Sequence, residues 1–205
     1  MRGELEQAER YFEECIKETE DDYIKLRAYS KLDEAYQAAY VEAEQYDKRI
    51  ALLTEALEKL PAGNQITLIE RMAQVYIDYS DLTDRDENYK KAIALFDRME
   101  DMGYATFSSR YNAAVLYHMM GNVTKAETRL EDMLLLYPDN YIIYKRMAYV
   151  ELDIQNQRVN GKRDYHSFQN YYNQALSLYQ RNAQEDMEML SLQQMYNDVV
   201  ANGWL

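Results

Sequence analysis

Cysteine, histidine, proline and glycine are scarce in this 205-residue chain, and each scarcity removes a class of answer. The single cysteine, Cys15, cannot close an internal disulfide. With Tyr11, Phe12 and Ile16 around it on a helical face, it reads as a small buried apolar residue in a reducing, cytoplasmic setting. The two histidines, His118 and His166, stand apart from each other and from the cysteine, so no metal site is expected. The acids Asp78, Asp81, Asp84, Asp86 and Glu87 lack the alternate spacing and central glycine of a calcium loop and read as a solvated connection. Two prolines and six glycines include no phosphate-cradling loop and no nucleophile elbow, so neither a cofactor nor an enzymatic activity is expected. Long apolar runs are absent too, and the first twenty residues alternate charge at helical period, which excludes a membrane span or signal core in this segment. Positive charge is in deficit: a net charge of −13 argues against binding nucleic acid through a general basic field.

What is abundant is helical. The chain is 47% hydrophobic and 29% charged, a balance suited to amphipathic helices, and its 21 tyrosines and 11 methionines are large side chains able to fill gaps between them. The stretch Tyr111 to Asn140 shows the organisation in miniature. Ala113, Ala114 and Tyr117 share one helical face, Gly121 breaks it, and Ala126, Leu130, Met133 and Leu134 form a second apolar face before Pro138.

Similar units fill the rest. Residues 1–22 read as the second helix of a truncated repeat, with Ala8, Tyr11, Phe12, Cys15 and Ile16 on one stripe and an exposed apolar flank. Helix pairs are then expected over 23–64, 65–106, 107–140 and 141–182, and a capping helix over 185–201 with Met189, Leu192, Tyr196 and Val199 inward. In the first of these pairs a long helix runs from Tyr23 to about Glu44 through Leu26, Tyr29, Leu32, Tyr36, Ala39 and Tyr40, and its partner spans Tyr46 to Leu60. Pro61 and Gly63 close that unit. The tail residue Trp204 is expected to fold back on the last pair.

These residues resemble the tetratricopeptide repeat family. The likeness rests on Ala113, Ala114, Tyr117, Gly121, Ala126, Leu130 and Pro138; on Met72, Ala73, Tyr76, Tyr89, Ala92 and Phe96; on Tyr144, Met147, Ala148, Tyr165, Tyr172 and Ala175; on Ala8, Phe12 and Cys15; and on Tyr46, Leu53, Ala56 and Pro61. It implies an all-α fold, an α-α superhelix of helical hairpins forming a single domain over 1–205, ended by the capping helix. Four positions depart from the pattern: Asp33 and Glu151 replace an aromatic residue of a first helix, and Arg49 and Phe168 replace an alanine of a second helix. Three units are also longer than the 34-residue norm by roughly seven or eight residues between their two helices. Such an insertion is cheap, since doubling a loop costs only about 0.6 kcal/mol of closure entropy.

In this family the first helices line a concave groove. By register that groove would carry Arg27, Lys31, Arg71, Gln74, Ser108, Tyr111, Asn112, Lys145, Arg146 and Tyr149. Basic residues recurring on one inner surface of an acidic protein imply a protein or peptide partner bearing acidic, phosphorylated or C-terminal carboxylate groups. Glu34, Glu70 and Asp78 lie close in register and dilute that field. The function expected is a non-catalytic interaction scaffold, monomeric or weakly dimeric. Its alternative is a structural spacer or self-association module with no peptide ligand. A further likeness, carried by Tyr137 to Asn140, Tyr144 to Ala148, Arg163 to Tyr165 and the Gly203, Trp204 ending, is to repeat regions attached to serine/threonine protein kinases of Gram-positive bacteria. It implies recruitment within a larger signalling protein.

Overall fold

In a computed structural model, which describes residues 2–39, 43–181 and 185–205, every regular element among the described residues is helical. The contacts divide the chain into two compact units, with the boundary between Ser109 and Arg110. The first contains α1 (Arg2–Glu18), α2 (Asp22–Ala39), α3 (Ala43–Lys59), a short 3-10 turn (Ala62–Asn64), α4 (Ile66–Tyr79), α5 (Arg85–Asp101) and the opening residues of α6 (Phe107–Met119). The second holds the rest of α6 with α7 (Val123–Leu136), α8 (Tyr141–Gln157), α9 (His166–Tyr179) and α10 (Met187–Ala201).

Short polar residues start these helices by satisfying backbone donors that have no partner inside the helix. Asp21 Oδ1 accepts from the amides of Tyr23 and Ile24 at 2.8 and 3.1 Å, and Asp84 and Asn122 cap α5 and α7 in the same way. Thr106 and Ser109 cap reciprocally: the Thr106 amide donates to Ser109 Oγ at 2.8 Å, and the Ser109 amide donates to Thr106 Oγ1 at 3.1 Å. Gly121 ends α6 with φ at 73°, a conformation that glycine adopts without Cβ strain. There the Asn122 amide reaches the Tyr117 carbonyl at 2.9 Å and closes the turn.

In the N-terminal unit each helix from α1 to α4 packs on the next, and α5 packs on α4. The small positions of the repeat pattern do what the pattern needs: Ala56, Ala73 and Ala92 are fully buried, and Leu32, Leu53 and Leu68 are fully buried in one core cluster with Ala56. Each such leucine contributes about 1.5–3 kcal/mol by leaving water. The Tyr46 and Tyr79 rings stack at 5.0 Å between α3 and α4. In the C-terminal unit α7 packs on α8, α8 on α9, and α10 lies against both α8 and α9 through Met189, Leu192 and Val199. Trp204 stacks on Tyr165 at 5.6 Å, placed by the turn at Gly203.

Several expectations need adjusting. Tyr11, placed on the inward stripe of α1, is 67% exposed, and Cys15 is only half-buried, packed with Phe12 against the core of the unit. The helix expected from Tyr23 to about Glu44 is described as α2 over Asp22–Ala39, with its partner α3 described from Ala43; residues 40–42 between them lie outside the described residues. Tyr40, Met1 and the break at 182–184 lie outside the described residues. The insertion at 156–164 is held by side chains. Buried Gln155 accepts from the Asp164 amide at 2.9 Å, Tyr165 donates its hydroxyl to Asn156, and Arg163 donates to the carbonyls of Asn156 and Arg158.

Two of the four departures from the repeat pattern, Asp33 and Arg49, are explained by pairing. Asp33, fully buried on α2, accepts from Arg49 Nε on α3 at 2.7 Å, and Arg49 is itself buried. An aromatic and an alanine have been exchanged for an acid and a base that neutralise each other. Gln65 performs a second buried polar task, donating to the carbonyls of Leu57 and Leu60 at the end of α3 and accepting from Arg98 Nη2 at 2.6 Å.

Candidate binding faces

The groove residues of the N-terminal unit lie on α2, α4 and α6. Arg71 on α4 reaches across to α2, with Nη1 3.2 Å from Asp33 Oδ2 and Nη2 2.9 Å from Glu34 Oε1. Lys31 pairs with the same Glu34 at 2.5 Å. The hydrogen bonds from Lys31 and Arg71 hold the Glu34 carboxyl below its ordinary range. Gln74 donates to Asp78 one turn along its own helix. Arg27 is exposed beside the Tyr23 ring, and Ser108 is exposed at the start of α6. Lys31 and Arg71 are therefore already neutralised by carboxylates of the same chain.

In the C-terminal unit Tyr141, Lys145 and Tyr149 recur every fourth residue of α8 and share one face, with Arg146 beside it. Lys145 Nζ contacts Asp186 Oδ2 at 2.7 Å and Glu188 Oε2 at 2.6 Å. Burial alone would lower the Lys145 ammonium pKa, but the two carboxylates outweigh it and raise it. Burial pushes Asp186 up, and the bond from Lys145 with the amide of Met189 brings it below its usual value. Arg146 Nη2 lies 3.4 Å from Glu188, its Nε donates to the Tyr111 hydroxyl at 3.3 Å, and its guanidinium sits over the Tyr111 and Tyr149 rings. Tyr149 donates to the backbone carbonyl of Glu188 at 2.7 Å. Asn112 is half-buried one residue beyond Tyr111.

The face expected to capture a carboxylate thus holds two, both from the segment that opens α10. Asp186 also caps that helix, accepting from the amides of Glu188 and Met189, while its own amide donates to the Tyr179 hydroxyl. Sequence reasoning marked Tyr141 as a groove residue beside Tyr111 and Tyr149 but missed Asp186, Glu188 and Tyr179. The available signal was an acidic pair opening a helix whose apolar stripe was already recognised, but nothing in the spacing tied it to a lysine 41 residues earlier. Of the two histidines, His118 is hydrogen-bonded to Asp153 at 2.8 Å, and burial lowers its pKa against the pull of that carboxylate. His166 is bonded to Asp164 in its own turn.

No family profile and no curated protein matches the sequence. Solved structures do. A chain described as "MamA MSR-1 C2" superposes with a TM-score of 0.56 at 16% identity, covering 87% of this chain and 94% of that one. BtubC (BKLC) from P. vanneervenii gives 0.60 at 17% identity, covering 95% and 83%. The MamA RS-1 ArsTM double mutant gives 0.54 at 12% identity, covering 88% and 97%. The likeness shows the fold class: all-α, a tetratricopeptide-like series of helix pairs. No described helix is long and apolar enough to cross a membrane.

Proposed function

We propose that the chain is a non-catalytic interaction scaffold that captures acidic protein segments on its first-helix faces. The observation that carries this reading is the α8 face, where Lys145, Arg146 and Tyr149 take hold of Asp186 and Glu188. Tyr111 and Asn112 extend that face. Arg27, Lys31, Arg71 and Gln74, with Ser108, form the candidate contacts of the N-terminal unit. Glu188 is half exposed, so an incoming carboxylate replaces one solvated acid by another and keeps the buried Lys145–Asp186 pair. The likeness of the last third to kinase-attached repeat regions supports a cytoplasmic bacterial signalling protein as the setting, with the scaffold serving recruitment.

Acidic and neutral peptide arrays probed with the full chain and with its Arg71→Ala, Arg146→Ala variant test the reading. It expects acidic peptides to be retained by the parent and lost by the variant. Equal retention by both, or retention by neither, overturns it. One observation favours the spacer alternative: the cations Lys31, Arg71 and Lys145 already have carboxylate partners within the chain.

A further inference from the structure

A cleft of about 600 Å³ runs between α1 and α3 in the N-terminal unit, floored by Tyr36 of α2 and Leu52 of α3. It continues into a second hollow of about 540 Å³, where Lys17, Lys25 and Lys59 gather near Tyr29. Lys48 bridges the first hollow from α3 to Glu9 on α1 at 3.3 Å. Glu9 and Ile16 of α1 turn toward this floor, while Glu6, Arg10, Glu13 and Lys17 stand exposed along the rim. These four are four, three and four residues apart, which puts them on one straight stripe of the helix. None of them has an ion-pair partner among the described residues; Arg10 only turns back, through Nε, to the carbonyl of Glu6 at 3.4 Å.

The order of charge along the rim is acid, base, acid, base. Laid antiparallel on a copy of itself about a two-fold axis midway between Arg10 and Glu13, the stripe sets Glu6 opposite Lys17 and Arg10 opposite Glu13, and the axis repeats both pairs. Laid parallel in the same register, every charge meets its like. We infer that the α1 rim is a self-association surface whose partner is a second copy of this chain, with the two α1 helices antiparallel over the α1–α3 cleft. Four rim-exposed ion pairs over one helix face make a contact below the size of a permanent dimer, so the assembly is weak, rapidly exchanging and salt-sensitive. It uses a different face from the acidic-segment site and stands without that reading.

Sedimentation velocity on the full chain at low ionic strength tests the arrangement. The parent associates in proportion to concentration and dissociates in molar salt. Glu6→Lys with Glu13→Lys makes the rim wholly basic, and Arg10→Glu with Lys17→Glu makes it wholly acidic; each variant is monomeric with an unchanged helical circular dichroism signal. Mixed one to one, the two variants form a heterodimer tighter than the parent. In a Cys15→Ser background, an Arg10→Cys chain and a Glu13→Cys chain oxidise to the mixed disulfide in preference to either homodimer. A parent that stays monomeric at millimolar concentration, a reversal that leaves association unchanged, a mixture that stays monomeric, or a preference for the Arg10→Cys homodimer overturns the inference.

Discussion

Two clusters of buried charge, one in each unit, use the same chemistry at different depths. In the N-terminal unit Asp33 is fully buried and shared by Arg49 and Arg71, so that one carboxylate joins α2, α3 and α4. In the C-terminal unit Lys145 is the buried member, and its partners Asp186 and Glu188 sit at the edge, where Glu188 remains half in water. The difference lies in what removal exposes. Taking a partner from Asp33 strands a charge in the core, whereas releasing Glu188 returns it to solvent. The first cluster belongs to folding, and the second to a docked helix.

The largest effect should come from breaking the deeper cluster. Asp33→Ala leaves Arg49 buried without its carboxylate and should cost about 3–5 kcal/mol in urea unfolding followed by probes in the N-terminal unit. The pair Asp33→Tyr with Arg49→Ala restores the repeat-pattern residues and should cost much less than either change alone. Equal losses would mean that Arg71, not Arg49, is the partner that matters.

Next comes the edge cluster. Lys145→Met removes the cation from the largely buried Asp186, leaving it the amides of Glu188 and Met189, and should cost about 1–3 kcal/mol. Hydrogen exchange should rise across 187–201 while α7 and α9 keep their protection. A uniform rise through the unit would erase the distinction between core and docked helix.

The same pair sets a pH window. Asp186 is held below its ordinary 3.8, so its contribution is present above that value and is lost as pH falls through the lower folded value. Lys145 is held above 10.5, so its contribution is present below that value and is lost as pH rises through the higher one. Protection of the α10 amides, taken relative to their intrinsic exchange rates, should stay level between these limits, and a step near neutral pH would show that other groups control the docking.

The smallest effect sharpens the contrast from the other side. Glu127 has its carboxyl pushed up by burial, with Glu131 and Glu151 adding to it. A raised carboxyl favours the folded state while it is protonated, at low pH, and that advantage is lost as pH rises through the folded value. Glu127→Gln should therefore raise stability at neutral pH by about 0.5 kcal/mol and leave it unchanged in acid, as thermal melts at the two pH values will show.

The helices were legible because their signals are local. Ala113, Ala114, Ala126, Ala148 and Ala175 are fully buried where the repeat spacing asks for small residues, since only a small side chain lets two helices approach. Asp33 and Arg49 were legible only as two separate departures, because a pattern that scores each position alone cannot see that one compensates the other. The basic character of the α8 face was likewise readable, but its occupancy was not: the carboxylates that fill it come from a different helix.

By itself, then, the sequence determined the all-α class and most of the apolar stripes that the helices bury, which follow from periodicity within a few turns. Tertiary structure alone decided which charges are spent. Arg71 finds Glu34 37 residues away and Lys145 finds Asp186 41 residues away. The energy of an ion pair depends on distance through space and on burial, and neither quantity is written in spacing along the chain.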